Sequence, residues 1–323
     1  MSDPLFDGGD GDAELTALER SLGTLAHTAP LREPPARPSR APKRTWIWPV
    51  AALAAVVALV VLLLQGKDAA DPGCAGGTGF QFSLTAGTAT CGGAAVASAG
   101  TMPIGAWLET QRDGTATVKV ADIGELTVFG DSKLRLVTTG AAQHHLELAR
   151  GHVAARVTAP PRLFVVDTPA ATAVDLGCAY DLTVDAAGKT HLRVTLGAVS
   201  LEDSRGISYV PATFEIDVVP GHLGTPISIT ATPEMRSAVQ RFDAGEPGAL
   251  AELVRTAAVA DRVTLWNVIG HTRDPGAIAK LEELAPLPDP ALHAKVLAGD
   301  ADALDIWLDV FVDRGDLAHD QRR

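Results

Sequence analysis

Residues able to do chemistry are sparse in this chain, and their spacing limits what they can do. His144-His145-Leu146-Glu147, with His152 close behind, gathers imidazoles and a carboxylate in one short stretch. A zinc-protease helix needs two histidines four residues apart with a glutamate between them, so that all three share a face. This stretch instead alternates apolar and polar residues as a strand does, which sends His144 and His145 to opposite faces. They read as solvated strand positions. Asp7-Gly8-Gly9-Asp10-Gly11-Asp12 has the composition of a calcium loop but lacks the glutamate that closes one, so it reads as a solvated acidic tail. The chain has no G-x-S-x-G elbow and no full G-x-x-x-x-G-K-[ST] phosphate loop. Glu282-Glu283 reads as an ordinary helix-surface pair. No catalytic residue, metal or cofactor is expected, and the chain is not expected to be an enzyme.

The three cysteines are Cys74, Cys91 and Cys178. A disulfide between Cys74 and Cys91 is favoured; closing that loop would remove about 3 kcal/mol of unfolded-chain entropy. Two free thiols, or a pairing with Cys178, remain alternatives. Cys178 lies in an apolar run and reads as a small buried residue.

These residues must be positioned by elements, and the apolar pattern shows which. The 323 residues suffice for about two domains of roughly 150 residues. A net charge of −12 argues against a nucleic-acid partner, which calls for a basic face. Trp46–Leu64 reads WIWPVAALAAVVALVVLLL, without a charge or strongly polar side chain. As a helix it covers roughly 28 Å, the hydrocarbon core of a bilayer. Trp46 and Trp48 suit the headgroup level, and Pro49 is tolerated in the first turn. Arg32, Arg37, Arg40, Lys43 and Arg44 precede the segment, while Lys67, Asp68 and Asp71 follow it. The positive-inside rule then puts residues 1–45 in the cytoplasm and the rest outside. A cleaved signal peptide would need a shorter leader and a better cleavage site than Ala69-Ala70. Asp71-Pro72-Gly73 before Cys74 is no lipobox. The segment is expected to be an uncleaved anchor.

The remaining regions follow from pattern. Residues 1–45 are rich in Gly, Asp, Pro and Arg and read as mostly disordered. Within 12–27, Leu15, Leu18, Leu22 and Leu25 fall on one helical face, which a partner's groove would stabilise. Pro34, Pro35, Pro38 and Pro42 make an extended spacer. After the transmembrane helix (46–65), residues 66–101 read as a Gly/Ala-rich linker. From 102 to 231 apolar residues alternate at period two: Val118 and Val120, Leu134 and Leu136, Leu146 and Leu148, Val153, Ala155 and Val157, Leu163 and Val165, Leu192, Val194 and Leu196, Phe214, Ile216 and Val218. Asp113-Gly114, Arg150-Gly151, Pro160-Pro161 and Ala187-Gly188 read as turns between them. The expected fold is a mainly β, short-strand sandwich or solenoid. From 232 to 316 the period shifts to 3.6, with prolines as punctuation, which predicts a bundle of about five helices. Residues 317–323 read as a disordered tail.

The β segment resembles FecR-type periplasmic domains. The resemblance rests on Thr168-Pro169-Ala170-Ala171-Thr172-Ala173-Val174-Asp175-Leu176-Gly177-Cys178-Ala179-Tyr180. The strands before it add Asp131–Leu136 and Leu146–Val153, and Leu192–Val199 follows with Gly197 at its turn. It covers about Gly105–Gly221. The stretches around Trp266 and Leu304–Phe311 are similar to a helical tail on some soil-bacterial members. From the residues alone, Thr168, Pro169, Gly177, Tyr180 and Gly197 read as fold-making. Pro169 would start a strand, the glycines would make turns, and a buried Tyr180 would need a partner for its hydroxyl. The resemblance implies a single-pass inner-membrane regulator that relays a periplasmic signal to a cytoplasmic sigma factor, with an unidentified periplasmic protein or ligand as the signal. Two features depart from family patterns. No cysteine precedes Cys74, so a thiolate zinc site ahead of the membrane segment is excluded, and the chain ends in helices rather than a receptor-contacting α/β subdomain. The sigma-factor link therefore rests on Leu15, Leu18, Leu22 and Leu25. The alternative is an anchored periplasmic scaffold or binding protein with no sigma-factor role.

Overall fold

The computed structural model describes Cys74 and residues 78–312, all within one compact unit. The helix expected at 12–27, the apolar segment 46–65 and the tail 317–323 lie outside the described residues. No helix among the described residues is long and apolar enough to cross a membrane.

Among the described residues seventeen strands form two sheets that share one long strand. The first sheet runs β4 (Ala99–Pro103), β1 (Gly79–Ala86), β6 (Thr115–Val120), β7 (Gly124–Val128), β9 (His144–Val157), β12 (Ala179–Val184), β13 (Thr190–Leu196), β16 (Phe214–Val218) and β17 (Ile227–Ser228). The second runs β3 (Ala94–Val96), β2 (Ala89–Cys91), β5 (Trp107–Thr110), β8 (Lys133–Thr139), β9, β10 (Phe164–Asp167), β11 (Thr172–Asp175), β14 (Ala198–Asp203) and β15 (Gly206–Pro211). The alternation explains the layering. Ala116, Val118 and Val120 of β6 face inward with Leu134 and Leu136 of β8, and the inner faces of both sheets close over one apolar core.

Two expectations are corrected here. The strands begin at Gly79, so most of the stretch read as a linker belongs to the sandwich, and Phe80 and Phe82 enter its core. The small residues around them mask the alternation. Arg150-Gly151 is not a turn but the middle of β9. Residues 144–150 pair in the second sheet and 151–157 in the first. Gly151 (φ +100°) lets one strand pass between layers, and a Cβ there would fall 2.2 Å from the Ser132 hydroxyl.

Six α-helices follow among the described residues: α1 (Pro233–Asp243), α2 (Ala249–Thr256), α3 (Arg262–Thr272), α4 (Pro275–Leu284), α5 (Leu292–Ala298) and α6 (Ala301–Leu308). Thr232, Asp274 and Asp300 each accept a backbone N–H in the first turn of α1, α4 and α6. Pro233 and Pro275 open their helices, where a missing N–H leaves no bond unmade. Met235, Leu265, Val268, Ile278, Leu281 and Trp307 pack in the helical core.

The helices cover part of the second sheet's outer face. Val165, Val174, Leu176, Ala198 and Tyr209 there meet Leu308 and Phe311. This explains why Phe164-Val165-Val166 is apolar throughout. The strand is buried on both faces, so period two breaks down.

Candidate functional site

The site is built where helix α3 lies along edge strand β15. Asn267 is buried with only backbone to bond. Its Oδ1 accepts the Tyr209 N–H at 2.8 Å, and its Nδ2 donates to the Tyr209 carbonyl at 3.1 Å and to that of Val263 at 2.9 Å. An asparagine thus stands in for the next strand. One turn on, His271 Nε2 donates to the Ile207 carbonyl at 3.0 Å. Trp266 donates its indole N–H to the Leu304 carbonyl of α6 at 2.7 Å and meets the Tyr209 ring edge-on, with centroids 6.2 Å apart.

Beside these tethers lies a cleft of about 560 Å³. Its apolar wall includes Leu176, Tyr209, Trp266 and Leu308. Its polar wall holds Arg162, Arg205, Arg273, His222 and His271 against two carboxylates, Glu202 and Asp305. Arg162 grips Glu202 with two bonds of 2.8 and 3.0 Å. Arg205 pairs with Asp203 at 2.5 Å. Arg273 forms no ion pair among the described residues and lies against Gly299, where a Cβ would fall 2.2 Å from its Nε. Near the cleft, burial pushes the Asp243 carboxyl up, against the Thr225 hydroxyl and amide and the nearby His222 and His271.

A second polar group is sealed inside the sandwich. Asp175 is 1% exposed, on the inward face of β11. It accepts the Gly177 N–H at 2.6 Å and the Cys178 thiol at 2.6 Å. Burial pushes its pKa to about 6, because the thiol and amide offset only part of the lost hydration. Burial, and then the facing Asp175, push Cys178 up. Tyr180 is also fully buried, its pKa raised by burial, and its hydroxyl has no hydrogen-bond partner among the described residues.

The residues singled out in the sequence divide as follows. Thr168 and Pro169 form a turn between β10 and β11, so Pro169 does not start a strand. The Thr168 hydroxyl donates to the Ala171 carbonyl at 2.8 Å and accepts from Thr190 at 2.9 Å. Gly177 and Gly197 approach back to back. A Cβ on Gly197 (φ +69°) would fall 2.1 Å from the Gly177 carbonyl oxygen. Cys74 and Cys91 are joined as a disulfide, their Cα atoms 5.5 Å apart, and Cys178 is free and buried. Leu15, Leu18, Leu22 and Leu25 lie outside the described residues.

His144 and His145 do point to opposite faces, but His144 is buried rather than solvated. It bonds Thr139 at 2.8 Å and packs against Phe80. His145 pairs with Asp167 at 2.7 Å and His152 with Asp181 at 2.9 Å. Among the described residues no group of three or more His, Cys, Asp or Glu side chains is placed to hold a metal. Asp175 and Asn267 were not singled out for their own chemistry. The available signal was a lone polar residue in an apolar run, AVDL and TLWNVI.

Residues 106–200 match the family model described as FecR protein. The β domain is of FecR type. The match supports a regulatory role in a general sense. It ends within β14, so Tyr209, Trp266 and Asn267 lie beyond it. No curated protein matches the chain significantly. Two crystal structures of a candidate anti-sigma factor from Parabacteroides distasonis, at 2.50 and 1.65 Å, are similar at 14% identity with a TM-score of 0.34. The alignment covers 42% of this chain and 64% of that one, and a similarity this low carries no argument about function.

Proposed function

We propose that the chain is a single-pass inner-membrane regulator whose FecR-type sandwich and helical bundle stand in the periplasm and whose residues 12–27 engage a cytoplasmic sigma factor. The observation that carries this reading is the FecR match over residues 106–200. The apolar stretch Trp46–Leu64 with its basic leading flank supports the topology. A Cys74–Cys91 disulfide just beyond that stretch suits an oxidising compartment. Signalling through one helix requires a periplasmic event that changes the availability of residues 12–27, by oligomerisation or by cleavage, since coupling needs two states that both sites bias.

The test is a pull-down from host lysate with Met1–Thr45 as bait. A sigma factor retained by the wild-type bait and lost with Leu18→Asp is the expected result. An intact bait that retains no sigma factor, or equal retention by both, removes the relay and leaves an anchored periplasmic scaffold.

A further inference from the structure

We propose that edge strand β4 pairs two copies of this chain, antiparallel and in one register, through the backbone of Ala99 and Thr101. The sheets end in β4, β17, β3 and β15. Asn267 and His271 bond the open side of β15. β17 has two residues, and Thr264 bonds the Pro226 carbonyl beside it. β3 has three residues. β4 has five, its neighbour is β1, and nothing among the described residues bonds its other side. An open groove passes Ala99 and Thr101 over β1 and β6, so that flank is uncovered among the described residues as well.

The register shows which groups are free. Leu84 donates to the Ser98 carbonyl at 2.6 Å, so the bonded pairs with β1 recur at every second residue, Gly100 and Met102. The N–H and C=O of Ala99 and of Thr101 therefore point away from β1. Pro103 would be next, but it has no N–H, and its carbonyl accepts from Ala106 at 3.1 Å.

A second copy fits these groups. With a two-fold axis at Gly100, Ala99 of each copy faces Thr101 of the other, and four backbone bonds use every free donor and acceptor. Centring the axis on Thr101 makes only two, because Ala99 then faces Pro103. Gly100 meets Gly100 in the non-bonded position, where Cα atoms approach to about 4.5 Å. Charge favours the same occupant. Two copies at net −12 repel each other, but Gly92–Pro103 carries no charge, and the outward neighbours on β1 are Gln81 and Ser83. Edge strands that stay single are blunted by a lysine, a central proline or a bulge, and β4 has none of these. One short strand a side buries far less than the roughly 1,000 Å² of a free-standing interface, so the chains must be held close. The membrane anchor of the regulator reading does that, and the inference rests on that reading for its strength alone.

The experiment cross-links full chains in lipid vesicles with a mild oxidant, one set carrying Ala99→Cys and the other Thr101→Cys. The mixed pair should form its disulfide about fivefold or more faster than either variant with itself, because facing Cα atoms lie about 5.5 Å apart. Thr101→Pro removes an N–H that β1 does not use. It should weaken association about tenfold, read as energy transfer between labelled chains. Thr101→Lys keeps the backbone and should weaken association too, while Thr117→Lys on β6 should leave it unchanged. Equal rates for all three pairings, or no cross-link, overturns the inference. So does association that Thr101→Pro and Thr101→Lys both leave intact. Flotation with the vesicles reads the anchor separately. A chain that does not float is cross-linked in solution at about 1 mM, the concentration a short tether provides, under the same criteria.

Discussion

The sandwich interior and the seam between sandwich and helices both bury polar groups, and they treat them differently. At the seam both polar atoms of the Asn267 side chain are used, and each bond crosses to strand β15 or returns to its own helix. Thr264 likewise donates to the Pro226 carbonyl at 2.8 Å. Inside the sandwich, Asp175 has two donors and no ion pair, and the Tyr180 hydroxyl has no partner, among the described residues. The seam polar groups therefore specify which surfaces meet. The interior ones oppose stability and tie it to pH.

The largest effect that would break this contrast is at the seam. Asn267→Ala removes the bonds that Asn267 makes to the buried Tyr209 N–H and carbonyl. It should lower unfolding free energy by about 3–4 kcal/mol, with hydrogen exchange at the Tyr209 amide accelerated most. A change under about 1 kcal/mol in urea unfolding would show that the seam tolerates unpaired backbone as the interior does.

Next comes Asp175. Its folded pKa of about 6 lies above the ordinary value of 3.8, so folding favours the protonated form. Its contribution is fully present below about pH 4 and is lost as pH rises through 6, a difference of about 3 kcal/mol. Asp175→Asn removes this dependence. Relative to wild type, the variant should gain stability between pH 4 and 7, read as the pH profile of the melting temperature. A constant offset across that range would sink the assignment. Asp217 slopes the other way. It is held down at about 2, first by the His191 hydrogen bond and also by Lys189, so its stabilisation is lost only as pH falls toward 2. Comparison at fixed pH with the single variant separates the two.

The smallest effect is at Tyr180. Tyr180→Phe removes an unpartnered hydroxyl and keeps the ring, so stability should rise by about 1 kcal/mol. A loss of that size in denaturant unfolding would mean that the hydroxyl is bonded, and would make the two regions alike.

Much of the fold was legible because one face of each strand or helix is wet. Val118 and Val120 around Lys119 expose one side to water, so period two survives in the composition. Prolines punctuated the helical region for the same local reasons, and Pro275 does open α4. Where both faces are covered, as in β10, or where small residues line the strand, as from β2 to β4, periodicity carried little. Leu196 failed in the other direction. Its place in the alternation marked it as core, yet it ends β13 at 67% exposure, beyond a register shift between Ala179 and Tyr180. The cleft was not legible at all. Leu176, Arg205, Trp266 and Arg273 are far apart in the chain, and no local pattern links them.

What the sequence by itself determined is which stretches alternate and which turn helical, where the apolar segment lies, and that the β region resembles FecR domains, since these depend on neighbours along the chain. What only the tertiary structure decided is that Gly151 carries one strand through both sheets, that Asp175 faces inward, and that Asn267 takes the place of a strand beside Tyr209. Each depends on which distant surface arrives to exclude water. A side chain's face, its partner and its pKa are set by that arrival.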